Sequence, residues 1–308
     1  SGVRPNWIAG TAIGAVNAAI IAGSLPHERT LRLRRFWQEA SRRARGRSRR
    51  ALGAWLGSKT AQGLAVLRRE AEPPPRSPKP VFDAAELREL IDETVDFERV
   101  NSGTVRLVLG AVNLATGAET FFDNDRHVLG PDHVLAGTPL PGAPPVAIDR
   151  QLYGGAAVSV SALDNARPAD TLCFAIDGYD GGPAGYGGLS RTRREIAAMR
   201  RVHDLRRMIG LLGERLPASL RGESDVRRCL AEASNATTTV LHLVHEVDPA
   251  DLRAKMTDFS AGAVARRWKA GESDVATSLA HRHWLAPPPR LAGVVVHEVR
   301  GGLAAPPD

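Results

Sequence analysis

Cysteine is almost missing from this chain. Its 308 residues include only Cys173 and Cys229, too few for a disulfide scaffold or a Cys-rich metal site. A reducing, cytoplasmic setting is the expectation for such usage. Also missing is any run of about 18 apolar residues, the length that a membrane-spanning helix needs. The longest candidate, Ala12 to Ala22, is shorter and contains Gly14 and Asn17. No signal-peptide pattern opens the chain. Its first residue is Ser1, and the text there already reads as mid-domain sequence, so we expect an N-terminally incomplete chain. Acids are scarce from Arg29 to Arg50, where ten arginines stand against Glu39 alone. That segment carries +9 of a total of +7, which leaves the remaining residues at −2. The protein is near-neutral with one basic segment.

Apolar residues make up 43% and charged residues 24%, which excludes wholesale disorder. Trp7-Ile8-Ala9 reads as a short strand, Gly10 to Gly14 as a tight reversal, and Ala15 to Ala22 as a small-residue helix stopped by Gly23. Residues 29 to 44 are helical in pattern, with Leu31, Leu33, Phe36 and Trp37 toward one face. The proline-rich text from Pro73 to Pro80 reads as a stiff connector. Asp83 with Glu86 marks a helix start, and Leu87, Leu90 and Ile91 follow at helical spacing. Alternation at Val105, Leu107 and Leu109, a turn at Asn113 to Gly117 and a return at Thr120 to Phe122 predict a hairpin. A strand is expected over 171–176, a helix from Ser190 to about Leu216, a strand over 237–247 and a last helix opening at Phe259-Ser260. Strands interleaved with helices predict an α/β fold. The text from Pro287 onward reads as a peripheral tail.

A strand that ends in Gly-x-x-x-Gly and enters a helix directly has the shape of a nucleophile elbow. The residue in the middle is forced outward on a strained turn, and the helix N-terminus behind it can stabilise an oxyanion. Two glycines at this spacing also occur in ordinary strand–helix turns. The wider text, Arg4-Pro5-Asn6-Trp7-Ile8-Ala9-Gly10-Thr11-Ala12-Ile13-Gly14-Ala15-Val16-Asn17-Ala18-Ala19, closely resembles the elbow of patatin-like phospholipases. Further similarity to a bacterial branch of that family lies at Asn101 to Gly103, Gly110 to Asn113, Phe122 to Asn124, Gly130 to Val134 and Leu140 to Val146. It continues at Thr192 to Arg207, His242 to His245 and Phe259 to Gly271, in what that branch carries as a C-terminal extension.

The resemblance implies a three-layer α/β/α sheet with a helical C-terminal extension. It also implies ester hydrolysis by a Ser–Asp dyad, with a lipid or acyl-ester substrate and neither metal nor organic cofactor. The expected layout is a hydrolase-like domain over 1–188, an extension over 189–286 and a tail over 287–308. Gly10, Thr11, Ile13 and Gly14 fall on the elbow, but Ala12 occupies the nucleophile position. The family's Asp-Gly-Gly text aligns with Gly154 or Gly155, so the base position, taken as Gly154, is vacant as well. The family's Gly-rich oxyanion loop precedes the elbow, and this chain starts too late to include it. A methyl group cannot attack a carbonyl, so the chain is expected to be catalytically impaired. Asp180-Gly181-Gly182 spells the family's text one element too late to be the base, and the Thr11 hydroxyl is expected to bond within the turn.

Other signals are blander. His242 and His245 with Glu246 read as strand residues with one face exposed, because residues three apart on a strand diverge. His281 and His283 read as surface residues, and Cys173 as core. The glycines from 178 to 188 lack the Lys-Ser/Thr of a phosphate-binding loop. Two readings of the arginine segment stay open. One is a solvated helical face with a basic loop. The other is contact with an anionic membrane surface through Arg42, Arg43, Arg45, Arg47, Arg49 and Arg50, with Leu31, Phe36 and Trp37 entering the interface. Nucleic acid is not an expected partner, since no aromatic platform accompanies the charge.

Overall fold

The structure, a computed structural model, describes residues 3–44, 83–138, 144–156, 169–177, 191–245, 258–280, 282–286, 288–289, 292–300 and 303–304. The chain forms two compact units, Gly2–Val158 with Thr257–Arg266, and Ser159–Met256 with Arg267–Asp308. Both combine helices with sheets that contain parallel strands, so the α/β class holds.

In the first unit β1 (Trp7–Gly10) leads through a sharp turn into α1 (Ile13–Ala22). Ala15, Ala19 and Ile20 of α1 are fully buried. A second helix, α2, covers 29–44. The capping signal read at Asp83 is real: its carboxylate accepts from the Ala85 N–H and starts α3 (Ala84–Thr94), which buries Leu87, Leu90 and Ile91. Asp96 caps α4 (Phe97–Asn101) in the same way, accepting from Arg99 N–H. The hairpin also forms, from β2 (Arg106–Asn113) and β3 (Glu119–Asp123). Its turn is held by Asn113 Oδ1, which accepts from the N–H groups of Ala115 and Thr116. After α5 (Pro131–Ala136) come β4 (Val146–Ile148) and β5 (Gln151–Ala156).

The pairing around β2 decides what meets the elbow. β3 takes one edge of β2 over Val108–Val112. The other edge is shared: β1 runs parallel along Arg106–Leu109, and β5 lies antiparallel at Ala111 and Asn113. Residues of the family-like text bind the loops together. Asn124 accepts from Leu107 N–H and donates to the carbonyls of Val100 and Val105, while Asn101 bridges to both backbone groups of Leu129.

The second unit holds a second sheet, ordered β6 (Thr171–Asp177), β7 (Thr238–Val244), β8 (Val294–Arg300) and β9 (Leu303–Ala304), with the first three mutually parallel. Three helices, α6 (Arg191–Arg215), α7 (Ala218–Arg221) and α8 (Ser224–Ala231), join β6 to β7, and α9 (Ala261–Ala280) precedes β8. The segment expected to be a helical extension therefore carries sheet as well. The text read as a peripheral tail supplies β8, whose Val294 and Val299 are buried. Every residue of β7 is buried, in place of the expected half-exposed alternation. Strands cover both of its edges and helical elements both faces: Ile196 and Met199 pack beside Val240, and Trp284 beside Leu241 and Leu243.

Candidate functional site

The turn between β1 and α1 has nucleophile-elbow geometry. Ala12 sits at φ 51° and ψ −133°, a conformation that L residues rarely adopt. Such a residue costs on the order of 1–3 kcal/mol unless its surroundings hold it. Here they do. Ala12 N–H donates to the Gly137 carbonyl at 2.6 Å, Ala15 N–H donates to the Ala12 carbonyl at 2.9 Å, and the Thr138 hydroxyl also donates to that carbonyl at 3.0 Å. The strand and helix can close on each other because position 10 is glycine: a Cβ there would lie 2.4 Å from Gly14 O and 2.8 Å from Ala18 Cβ. Gly14 has open space about its own Cα, so what matters at 14 is how near its carbonyl comes to Gly10.

At the N-terminus of α1 no side chain caps the helix and no acid lies in the first turn. The helix therefore offers orphan N–H groups and a positive dipole end beside position 12. Ile13 opens that helix. The Thr11 hydroxyl does not make the expected bond within the turn; it is buried with no hydrogen-bond partner. The side chain at the strained position is a methyl group.

Gly154 lies on β5, between Tyr153, paired with Asn113, and Ala156, paired with Ala111. β1 leaves the same edge of β2 at Leu109. The strand bearing Gly154 thus takes up that edge two residues on, roughly 7 Å along β2. Position 154 and the strand that leads into the turn at 12 therefore lie along one edge of β2. A Cβ on Gly154 would lie 3.5 Å from Leu114 Cδ1, an ordinary contact, so a side chain has room there. Gly155 beside it has φ +91° and needs glycine. No carboxylate stands at 154, and Asp180-Gly181-Gly182 lies outside the described residues.

Residues 189–291 match the family model described as patatin phospholipase. Over that stretch, about a third of its length, the chain is similar to patatin-like phospholipases. No curated protein matches it. The matched stretch falls after the turn at 10–14, so that turn stands on its own geometry and text.

The arginines expected at a membrane surface divide. Arg42 is exposed and pairs with Glu39 at 2.8 Å. Arg43 is drawn inward, to Glu93 at 2.9 Å, Glu39 at 3.3 Å and Glu89 at 3.4 Å, with a further bond to the Glu86 carbonyl. Burial opposes its charge, but Glu39 and Glu93 outweigh that and raise its pKa. Arg45, Arg47, Arg49 and Arg50 lie outside the described residues. Phe36 and Trp37 are not available to an interface. Phe36 is 1% exposed, and Trp37 donates to Asn17 Oδ1 at 2.9 Å and stacks on Phe259 at 6.0 Å. Of the three apolar residues proposed for lipid contact, only Leu31 is exposed.

His242 does not have the exposed face expected of it, His283 is at the surface as expected, and His281 lies outside the described residues. His242 is 1% exposed in the middle of β7, with Asp177 Oδ2 at 3.7 Å from Nε2 and Glu298 Oε2 at 3.6 Å from Nδ1. Both are ion-pair rather than hydrogen-bond separations. Register explains the grouping: Glu298 pairs with His242 across the ladder, and Asp177 shares a face with Ala175, the other partner. Arg193 of α6 closes the cluster with two bonds to Glu298, at 3.0 and 3.1 Å. Nothing in sequence spacing links residues 177, 193, 242 and 298. His245 faces Asp274 at 3.2 Å, and exposed His283 lies with its ring 5.1 Å from that of His297. Among the described residues no group of three or more His, Cys, Asp or Glu is placed to hold a metal, and no helix is long and apolar enough to cross a membrane.

Proposed function

We propose that this chain is a lipid acyl hydrolase homologue, of the phospholipase and esterase class, in which ester hydrolysis has lapsed. The observation that carries this reading is Ala12: its backbone keeps the strained elbow conformation while its side chain is a methyl group. In the dyad chemistry the serine oxygen attacks the ester carbonyl as the aspartate takes its proton, and the oxyanion rests on helix N–H groups. The helix N-terminus behind position 12 is in place, with no side chain capping it. The attacking oxygen is missing at 12, the proton acceptor at 154, and the substrate that fits the remaining frame is a carboxylic ester of a lipid.

Hydrolysis of p-nitrophenyl butyrate tests the reading. The unmodified chain is expected to show no turnover above buffer, and Ala12→Ser with Gly154→Asp to show more than either single change. Turnover by the unmodified chain would overturn the lapse. A second reading, a non-catalytic protein bound at lipid surfaces, is favoured by the arginine excess over 29–50. For it the useful variant is Arg42, Arg45, Arg47, Arg49 and Arg50→Gln, with Arg43 left in place because it ties α2 to α3. Vesicle binding unaffected by that variant would remove this segment from the lipid contact.

A further inference from the structure

α6 is 25 residues long, and among the described residues its buried side chains lie along one side. Ile196 and Met199 are buried, and Gly213 lies so close to Leu230 that no Cβ would fit between them. The opposite side shows water an unusual set of residues. Leu205 is 57% exposed, and Met208 and Leu212 are each 56% exposed. Their spacings of three and four put them on one stripe of the helix. The same spacings extended in both directions reach Arg201 and Arg215, and a further seven residues back reach Arg194. Val202 and Leu211, also exposed, widen the apolar strip on either side. A soluble surface seldom keeps so many large apolar side chains together on one ridge without a partner.

The charge says which partner. Arg194, Arg201 and Arg215 are all exposed on this side. Against them stands Asp204, already accepting from Gly293 N–H. A second copy of the chain would set Arg201 against Arg201 or against Arg215, whichever way the helices ran, and like charges would oppose the pairing. An anionic bilayer suits the face. The leucines and methionine enter the acyl boundary while the arginine stems run along it and lift their guanidinium groups to the lipid phosphates. We propose that this exposed face of α6 is the surface by which the protein docks onto an anionic lipid bilayer. The choice of lipid rests on the acyl-hydrolase reading; the exposed face does not.

Sedimentation of the full chain with vesicles of phosphatidylcholine and phosphatidylglycerol in equal parts tests it, with pure phosphatidylcholine as the neutral comparison. The unmodified chain is expected to bind the anionic vesicles and to release them in high salt. Replacing Arg194, Arg201 and Arg215 by Gln is expected to weaken binding about a hundredfold. Leu205→Glu with Leu212→Glu should weaken it at least about tenfold, with the melting temperature retained because both side chains are exposed. The proposal is overturned if the unmodified chain does not bind, if either variant binds as well as the parent, or if the chain is a dimer that the leucine variant dissociates. Soluble ester hydrolysis does not depend on this face, so the outcome at α6 and the outcome at Ala12 are separable.

Discussion

The Thr138 hydroxyl donates to the carbonyl oxygen of Ala12 at 3.0 Å, across 126 residues of sequence. The same hydroxyl donates to Val134 O at 2.7 Å, and the neighbouring Gly137 carbonyl receives the Ala12 N–H. The strained residue is thus gripped through both backbone groups by the loop that follows α5. That grip makes no use of the side chain at 12, which is why the elbow keeps its shape without a nucleophile.

If the grip holds the turn, Thr138→Val should destabilise the protein by about 1–2 kcal/mol, since it removes one of the two donors to the half-buried Ala12 carbonyl and the donor to Val134 O. Thr138→Ser keeps the hydroxyl and should stay close to the parent. Urea denaturation of the three proteins gives the comparison, and equal midpoints would show that the bond contributes nothing.

Glycines of the site should differ in tolerance. Gly10→Ala forces a methyl to 2.4 Å from Gly14 O, a contact that backbone movement alone can relieve. A cost of about 3 kcal/mol or failure to fold is expected. Gly154→Asp meets only Leu114 at 3.5 Å. It should fall within about 1 kcal/mol of the parent, an ordinary surface result. Thermal melts of the two variants side by side decide this.

Asp123 and Arg106 couple stability to acid. Burial alone would raise the Asp123 carboxyl, but the Arg106 guanidinium, with Nε at 3.1 Å, and the Asp125 N–H together hold it below the usual range. A carboxylate depressed in the folded state stabilises fully above its unfolded value, about 3.9, and loses that contribution as pH falls through the lower folded value. Asp123→Asn should therefore cost about 2 kcal/mol near neutral pH, with the gap to the parent closing only below about pH 4. A gap already closed at mildly acidic pH would contradict the pairing.

The two thiols should react in turn. Burial pushes the Cys173 thiol up to about 11, while Cys229 is exposed. At pH 8 only about a thousandth of Cys173 is thiolate, so the folded chain should release one equivalent of thionitrobenzoate promptly. The second should follow only on denaturation. Two fast equivalents would place Cys173 at the surface.

Where the governing interaction is local, the sequence was a good guide. The Asp83 cap, the hairpin at Asn113 to Gly117 and the close approach of Gly10 to Gly14 each depend on partners a few residues apart. The residues misjudged were those whose partners lie far along the chain. β7 alternates in composition yet is buried on both faces, because β6 and β8 flank it and helices cover it. Phe36 and Trp37 looked fit for a membrane, but α1 and Phe259 had already claimed them.

Residue identity alone established that no hydroxyl stands at position 12 and no carboxylate at 154, because no fold can make a methyl group or a hydrogen atom attack or accept a proton. Long-range pairing established the rest. Sharing one edge of β2 set Gly154 beyond the elbow, the Gly137–Thr138 loop held Ala12 in a left-handed conformation, and parallel register gathered Asp177, His242 and Glu298 around one buried imidazole. Pairing of this kind depends on which strands meet and in what register, and neither is written in any one segment of the chain.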